Sequence, residues 1–315
     1  MAEEAQGDDD DDIFVYMGGD QRVPDRVRRA RIHKSVKIVR SRAFQNRLHL
    51  FSVEFHDGVE IIEEAAFYQC PLSAIKLLGV RIIKKRAFSL CSGLTHVEFG
   101  DKLETIEASA FNSCSLKKIK MPSVRTIGVW AFANCSELTH VECGAALRAL
   151  EESFYNCPKL ERIALPLKDD MIGDRVFDYC PKLIAVDLVG GIHKTVASLH
   201  MESWRSEMNN EINRINQTLP TTYEETFVIQ QWMERVIRQL NHYKTEHHNL
   251  LKEATTLLEL ALWKTNLDDK NGGEIEREGV RTTRGSRKRA RKEICVTSGA
   301  SIVIKNVLPF LELSE

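Results

Sequence analysis

A dipeptide ending in phenylalanine returns along this chain at nearly constant distance. Ala43-Phe44, Ala66-Phe67, Ala87-Phe88, Ala110-Phe111 and Ala131-Phe132 are followed by Ser153-Phe154 and Val176-Phe177, at intervals of 23, 21, 23, 21, 22 and 23 residues. Three residues after every Phe but the first stands a cysteine: Cys70, Cys91, Cys114, Cys135, Cys157 and Cys180. Self-similarity at such a period is the mark of a stacked-repeat architecture. Upstream of each Phe, triplets such as Leu94, Val97 and Phe99, or Leu116, Ile119 and Met121, end in a two-residue alternation that predicts a short strand. Further apolar pairs follow, among them Val59 and Ile62, Leu103 and Ile106, and Val124 and Ile127. One unit cannot bury these side chains alone, whereas stacking strand beside strand joins them into one continuous core.

This phasing places Phe67, Phe88, Phe111, Phe132, Phe154 and Phe177 in one internal column, with Cys70, Cys91, Cys114, Cys135, Cys157 and Cys180 beside it. The cysteines read as small buried side chains, because there is no C-x-x-C pair of the usual zinc-ribbon kind. Cys143 takes a strand core position, and Cys295 stands apart from the repeat.

The unit resembles the BspA-type leucine-rich repeat, whose pattern is close to L-x-x-I-x-F-x-x-x-L-x-x-I-x-x-x-A-F-x-x-C, and the resemblance covers about Val27 to Leu188. It implies a solenoid of short parallel strands; with the helical spacing read further along the chain, the expected class is α+β, a solenoid followed by a long C-terminal helical hairpin or coiled coil. The whole chain is also similar to the large paralogous sets of such proteins in algal genomes, particularly diatoms. Bacterial and protist members are often surface adhesion proteins, but the start of this chain has no secretory pattern, so that role is not carried over. The first unit departs from the pattern with Arg47 in place of cysteine, and the sixth with Ser153 in place of alanine. Ile13 to Tyr16 is expected to belong to an N-terminal cap, since terminal repeats must close the core.

The outward strand residues Glu54, Lys76, Glu98, Lys120 and Glu142 alternate in sign over five successive rungs. They read either as a self-neutralising ladder or as a partner face, with His56, His96 and His140 nearby. The formal net charge of −1 gives the whole molecule no field to draw it onto nucleic acid or membrane. No stretch is long and apolar enough to span a bilayer. No phosphate-binding glycine loop, H-E-x-x-H or nucleophile elbow occurs. The chain is therefore expected to be no enzyme, with no catalytic, cofactor-binding or metal-binding residues, and to be intracellular, in nucleus or cytoplasm.

Beyond Gly190-Gly191 the spacing turns helical. Met201, Trp204, Met208, Ile212, Ile215 and Leu219 predict one helix from about Lys194, ended by Pro220. Ile229, Met233, Val236, Leu240, Tyr243, His247, Leu250, Ala254, Leu257 and Ala261 form a heptad seam on a second helix. Its unpaired part could dock on the solenoid end or on another chain, and self-association through residues 222–266 is one such use. His242, Glu246, His247 and His248 read better as a charged helix with a polar seam layer than as metal ligands. Lys270-Asn271-Gly272-Gly273 reads as a linker. The basic run after it contains Arg287, Lys288, Arg289, Arg291 and Lys292, with the form of a nuclear import signal.

The expected division is an acidic tail at 1–12, the solenoid with its cap at 13–193, helices at 194–270, a basic linker at 271–293 and an apolar segment at 294–315. The expected function is a non-enzymatic protein-protein interaction scaffold with protein partners. The competing reading is a nuclear nucleic-acid-associated regulator using residues 281–292, although nucleic acid is the less favoured partner.

Overall fold

The computed structural model describes residues 13–190, 192–199, 201–218 and 224–274. The repeat folds into a parallel-strand solenoid of about seven turns. One face carries β1 (Ile13–Tyr16), β2 (Arg29–Ile32), β4 (Ser52–Glu54), β6 (Ala74–Leu77), β8 (His96–Phe99), β10 (Lys118–Met121), β12 (His140–Cys143), β13 (Arg162–Pro166) and β14 (Ala185–Val189). A second row is built from the two-residue strands β3 (Ile38–Val39), β5 (Ile61–Ile62), β7 (Ile82–Ile83), β9 (Thr105–Ile106) and β11 (Thr126–Ile127). It is continued by the parallel bridges Ile127–Leu150 and Leu150–Ile172. Pairing is in register with the repeat, so that Lys76 lies beside Glu98 and Lys120 beside Glu142.

The alternation in the sequence becomes alternation in burial. In β10, Ile119 and Met121 face the core while Lys118 and Lys120 face water. The phenylalanines form the predicted column: Phe44, Phe67, Phe88, Phe111, Phe132, Phe154 and Phe177 are all fully buried. Successive rings stack at centroid separations from 4.8 Å (Phe44–Phe67) to 6.2 Å (Phe154–Phe177), within 12° of parallel. Tyr16 of β1 closes the N-terminal end, its ring 5.1 Å from Phe44.

The cysteines are more than small fillers. Each of the six thiols beside the Phe column donates to the backbone carbonyl of the Phe one rung earlier, as in Cys91 to Phe67 (3.1 Å), Cys114 to Phe88 (3.2 Å) and Cys135 to Phe111 (3.3 Å). The Phe67 and Phe88 carbonyls also accept the N–H of Cys70 and Cys91 at 3.3 Å, so there the thiol fills the space and adds a second donor to a carbonyl with two lone pairs. Ser153, standing for alanine in the sixth unit, is fully buried and hydrogen-bonds to the carbonyls of Gly128 and Glu151.

The turns around each Phe hold a conformation that the sequence does not announce. The residues two before and two after every Phe have positive φ without being glycine: Arg86 and Leu90 flank Phe88, and Trp130 and Asn134 flank Phe132. Such conformations are strained for side-chain-bearing residues. Inter-rung hydrogen bonds hold them, with Arg86 N–H donating to Ala108 O and Leu90 N–H to Asn112 O.

The chain divides into two compact units. The first is the chain as far as His193 together with Asn210–Ile237; the second is Lys194–Asn209 together with the chain from Arg238 onward. Among the described residues, three helices follow the solenoid: α1 (Ile192–Ala197), α2 (Glu202–Thr218) and α3 (Glu225–Glu274). The single helix expected from about Lys194 is thus two. A turn in which Leu199 N–H bonds to Val196 O interrupts it, and Glu202 supplies the acidic first turn of α2. Lys270 to Gly273, expected as a linker, lie within α3. Extending an existing helix adds a hydrogen bond per residue without a new nucleus, so glycines costing about 1 kcal/mol each do not stop it.

Within the second unit, Trp204 stacks on Tyr243 at 5.0 Å, and the Tyr243 hydroxyl donates to Glu207. Along α3 the seam is buried as far as Tyr243; farther on, Leu257, Leu262 and Trp263 are exposed.

Candidate interaction surface

A solenoid has two ends at which rung-to-rung hydrogen bonding must stop. In the first unit, the start of α3 supplies what an eighth rung would have supplied. Along the column each Phe N–H donates to a carbonyl of the following rung, as Phe111 does to Ala131 and Phe154 to Val176. At the last rung, Phe177 N–H donates to Thr226 Oγ1 at 2.9 Å, and Thr226 donates in turn to Asp178 Oδ1 at 3.0 Å. Four residues on, and so on the same helix face, the Gln230 amide donates to the carbonyls of Ile172 (2.9 Å) and Gly173 (3.0 Å). At the opposite end, the Gln21 side chain accepts from Met17 N–H and donates to Val15 O, filling the place of a peptide group beside β1. Both terminal edges therefore have side-chain partners, which blunts end-to-end pairing. The sequence carries a threonine and a glutamine at helical spacing, but nothing in it announces which rung they serve.

The predicted partner face is exposed and internally paired. Lys76 meets Glu98 at 3.0 Å, Lys120 meets Glu142 at 3.2 Å, Arg31 meets Glu54 at 2.5 Å, and Arg162 pairs with Asp187. Lys76–Glu98 and Lys120–Glu142 are thus two separate pairs, and Glu54 takes its partner from the neighbouring β2. Exposed pairs of this kind contribute little to stability and leave little net field for a partner. Among the three histidines, His56 is committed to structure, with Nε2 bonded to His33 O at 3.0 Å.

A surface that sequence reasoning missed lies on the turn side, at the C-terminal rungs. Trp130 and Tyr179, each at a positive-φ position, are 49% and 42% exposed, and Phe227 of α3 is 56% exposed. Tyr155 packs its ring edge-on against Tyr179 at 5.2 Å, and the Arg175 guanidinium lies 5.0 Å over the Tyr155 ring. Trp130 donates its indole N–H to Glu152 at 2.5 Å, and Asn156 donates to Asn134 at 2.8 Å. These side chains frame two adjoining hollows. The first, of about 370 Å³, is lined by Trp130, Asn134, Glu152, Tyr155 and Arg175. The second, of about 450 Å³, is lined by Asp174, Arg175, Asp178, Glu224 and Phe227. Trp130 and Tyr179 occupy turn positions where the repeat pattern specifies no residue type, so phase alone gave no reason to single them out.

Burial raises the thiols of Cys70, Cys135 and Cys143 to about 12, and those of Cys91, Cys114 and Cys157 upward as well, far from a reactive thiolate. Among the described residues, no group of three His, Cys, Asp or Glu side chains is placed to hold a metal ion. No described helix is long and apolar enough to cross a membrane. Cys295 and the basic residues Arg287, Lys288, Arg289, Arg291 and Lys292 lie outside the described residues.

The chain is similar to a leucine-rich repeat protein from Bacteroides ovatus (27% identity, 56% of this chain and 45% of that one, TM-score 0.46). It is also similar to a leucine-rich repeat protein from T. pallidum (29% identity, 42% of this chain and 64% of that one, TM-score 0.40). It spans less than two thirds of either. No curated protein matches it. The BspA type leucine rich repeat region recurs in six copies over residues 26–139 and 119–203, more than half of the chain, and the protein belongs to that family.

Proposed function

We propose that this protein is a non-enzymatic protein-interaction scaffold that engages partners sideways, through the turn side of its solenoid. The observation that carries this reading is the cluster of half-exposed aromatic rings at Trp130, Tyr179 and Phe227, with Tyr155 packed against Tyr179, beside a sheet face whose charges pair with one another. Trp, Tyr and Arg are the residue types that dominate protein interfaces. Exposed clusters of them are a common sign of an interaction site. The distal part of α3, where Leu257, Leu262 and Trp263 are exposed, serves as a second contact, either with a partner helix or with another copy of the chain.

The test is affinity capture by the full chain from its native cells, in parallel with Trp130→Ala, Tyr179→Ala and Lys120→Ala. A partner retained by the wild type and by Lys120→Ala, and lost with both aromatic variants, is the expected outcome. Retention by all four proteins would remove the turn side as the interface.

A further inference from the structure

Resting on that reading, we propose the chemistry of the partner: the two hollows flanking Arg175 bind a basic peptide segment, seating one of its Arg or Lys side chains against the face of Trp130. Three observations converge on a cation. The rings at Trp130, Tyr179 and Phe227 are exposed, and the Trp130 indole N–H is already taken by Glu152, so this ring offers its electron-rich face rather than a donor. A guanidinium is already stacked in this setting, since Arg175 lies 5.0 Å over Tyr155. Charge around the second hollow is unbalanced, with Asp174, Asp178 and Glu224 facing the single cation Arg175.

Arg175 divides itself between Asp178 (3.5 Å) and Glu152 (3.9 Å), while among the described residues Asp174 and Glu224 make no ion pair. A phosphate-bearing ligand would meet three carboxylates, and a purely apolar helix would desolvate them without compensation. A basic segment satisfies both features at once, with apolar side-chain stems along the rings and charged heads among the carboxylates.

The test uses the full chain and a fluorescently labelled hexa-arginine peptide, read by anisotropy. A hexa-citrulline peptide of the same shape without charge is the control. Hexa-arginine should bind at least about tenfold more tightly than hexa-citrulline, and its affinity should fall with added salt. Trp130→Ala should weaken binding about five- to tenfold. The double variant Asp174→Asn with Glu224→Gln should weaken it and flatten its salt dependence. Arg175→Gln should strengthen it, because the ligand's cation then has the Tyr155 face and both carboxylates to itself. Lys120→Gln, on the sheet face, should change nothing.

Binding that is absent, or equal for the two peptides, or insensitive both to Trp130→Ala and to the Asp174/Glu224 variant, overturns the proposal. If captured partners still depend on Trp130 while hexa-arginine fails to bind, the scaffold reading stands and the basic-segment inference falls. If hexa-arginine binds as described while no partner is captured through these rings, the binding chemistry stands and the scaffold reading falls.

Discussion

The backbone N–H of Phe177 and the hydroxyl of Thr226 are joined by a 2.9 Å hydrogen bond in which a helix side chain stands where every earlier rung has a backbone carbonyl. Thr226 is buried and also bonds Asp178. Thr226→Val keeps the shape and removes both bonds. It should destabilise the first unit by about 1–3 kcal/mol, the cost of stranding a buried donor. Urea denaturation measures the loss, and amide exchange at Phe177 should quicken more than at Phe111.

Removing a ring from the middle of the column tests the stack itself. Phe111→Ala should cost about 3–5 kcal/mol, through lost burial and a cavity that its neighbours cannot close. Lys120→Ala, on the exposed ladder, should cost under about 1 kcal/mol. Because each rung contacts mainly its neighbours, the loss of exchange protection in Phe111→Ala should spread to the rungs of Phe88 and Phe132. Equal stability of the two variants by thermal denaturation would contradict the stacked column.

The buried thiols make stability fall in strong alkali. Burial raises Cys135 to about 12 from an ordinary value near 9, so the folded state holds this proton over a pH range in which the unfolded chain releases it. The contribution is intact below the unfolded value and is lost progressively as pH rises from about 9 to about 12. Cys135→Ala should weaken that alkaline slope. It should also lower stability at neutral pH by about 1–2 kcal/mol, because the Phe111 carbonyl loses its donor. In the native protein the six column thiols should resist iodoacetamide at pH 8 until urea unfolds the solenoid.

Glu225, the first residue of α3, is buried with both carboxylate oxygens unpaired. Burial raises its pKa above the usual carboxylate value, and the Asp178 carboxylate raises it further. A carboxyl raised in the folded state favours folding when protonated. Its contribution is full below the unfolded value and disappears as pH rises through the folded one. Glu225→Gln should therefore stabilise the protein at pH 7, by about 1 kcal/mol. The two proteins should converge in melting temperature as pH is lowered into the range where Glu225 is protonated.

Rung spacing itself can be tested at glycine. A Cβ at Gly144 would lie 1.7 Å from the Pro122 carbonyl oxygen, and one at Gly100 would lie 2.0 Å from that of Leu78. Gly144→Ala should push two rungs apart and cost about 1–3 kcal/mol, visible as a lower urea midpoint.

The repeat was legible in the sequence because it rests on phase. Phe111 and Cys114 recur at one position of every unit, and a side chain that recurs at the stacking period must meet its own copies. The outward placement of Lys76, Lys120 and Glu142 was legible for the same reason, since strand alternation fixes which residues face water. The role of the cysteines was only half visible: size and spacing indicated burial, but the carbonyl that each thiol meets belongs to a neighbouring rung and exists only once the backbone is closed.

The positive-φ turns were not visible at all, because residues as different as Arg86, Leu90 and Trp130 occupy them and hydrogen bonds from the next rung, rather than side-chain preference, hold the conformation. The same limit applies to Thr226 and Gln230. Thr226 and Gln230 meet partners 48 to 58 residues away, beyond the reach of any period, and only the tertiary structure brings Thr226 to Phe177 and Phe227 beside Arg175 and Asp178. Local pattern fixes what repeats; contacts made once, between elements distant in the chain, depend on where the solenoid ends and which helix closes it.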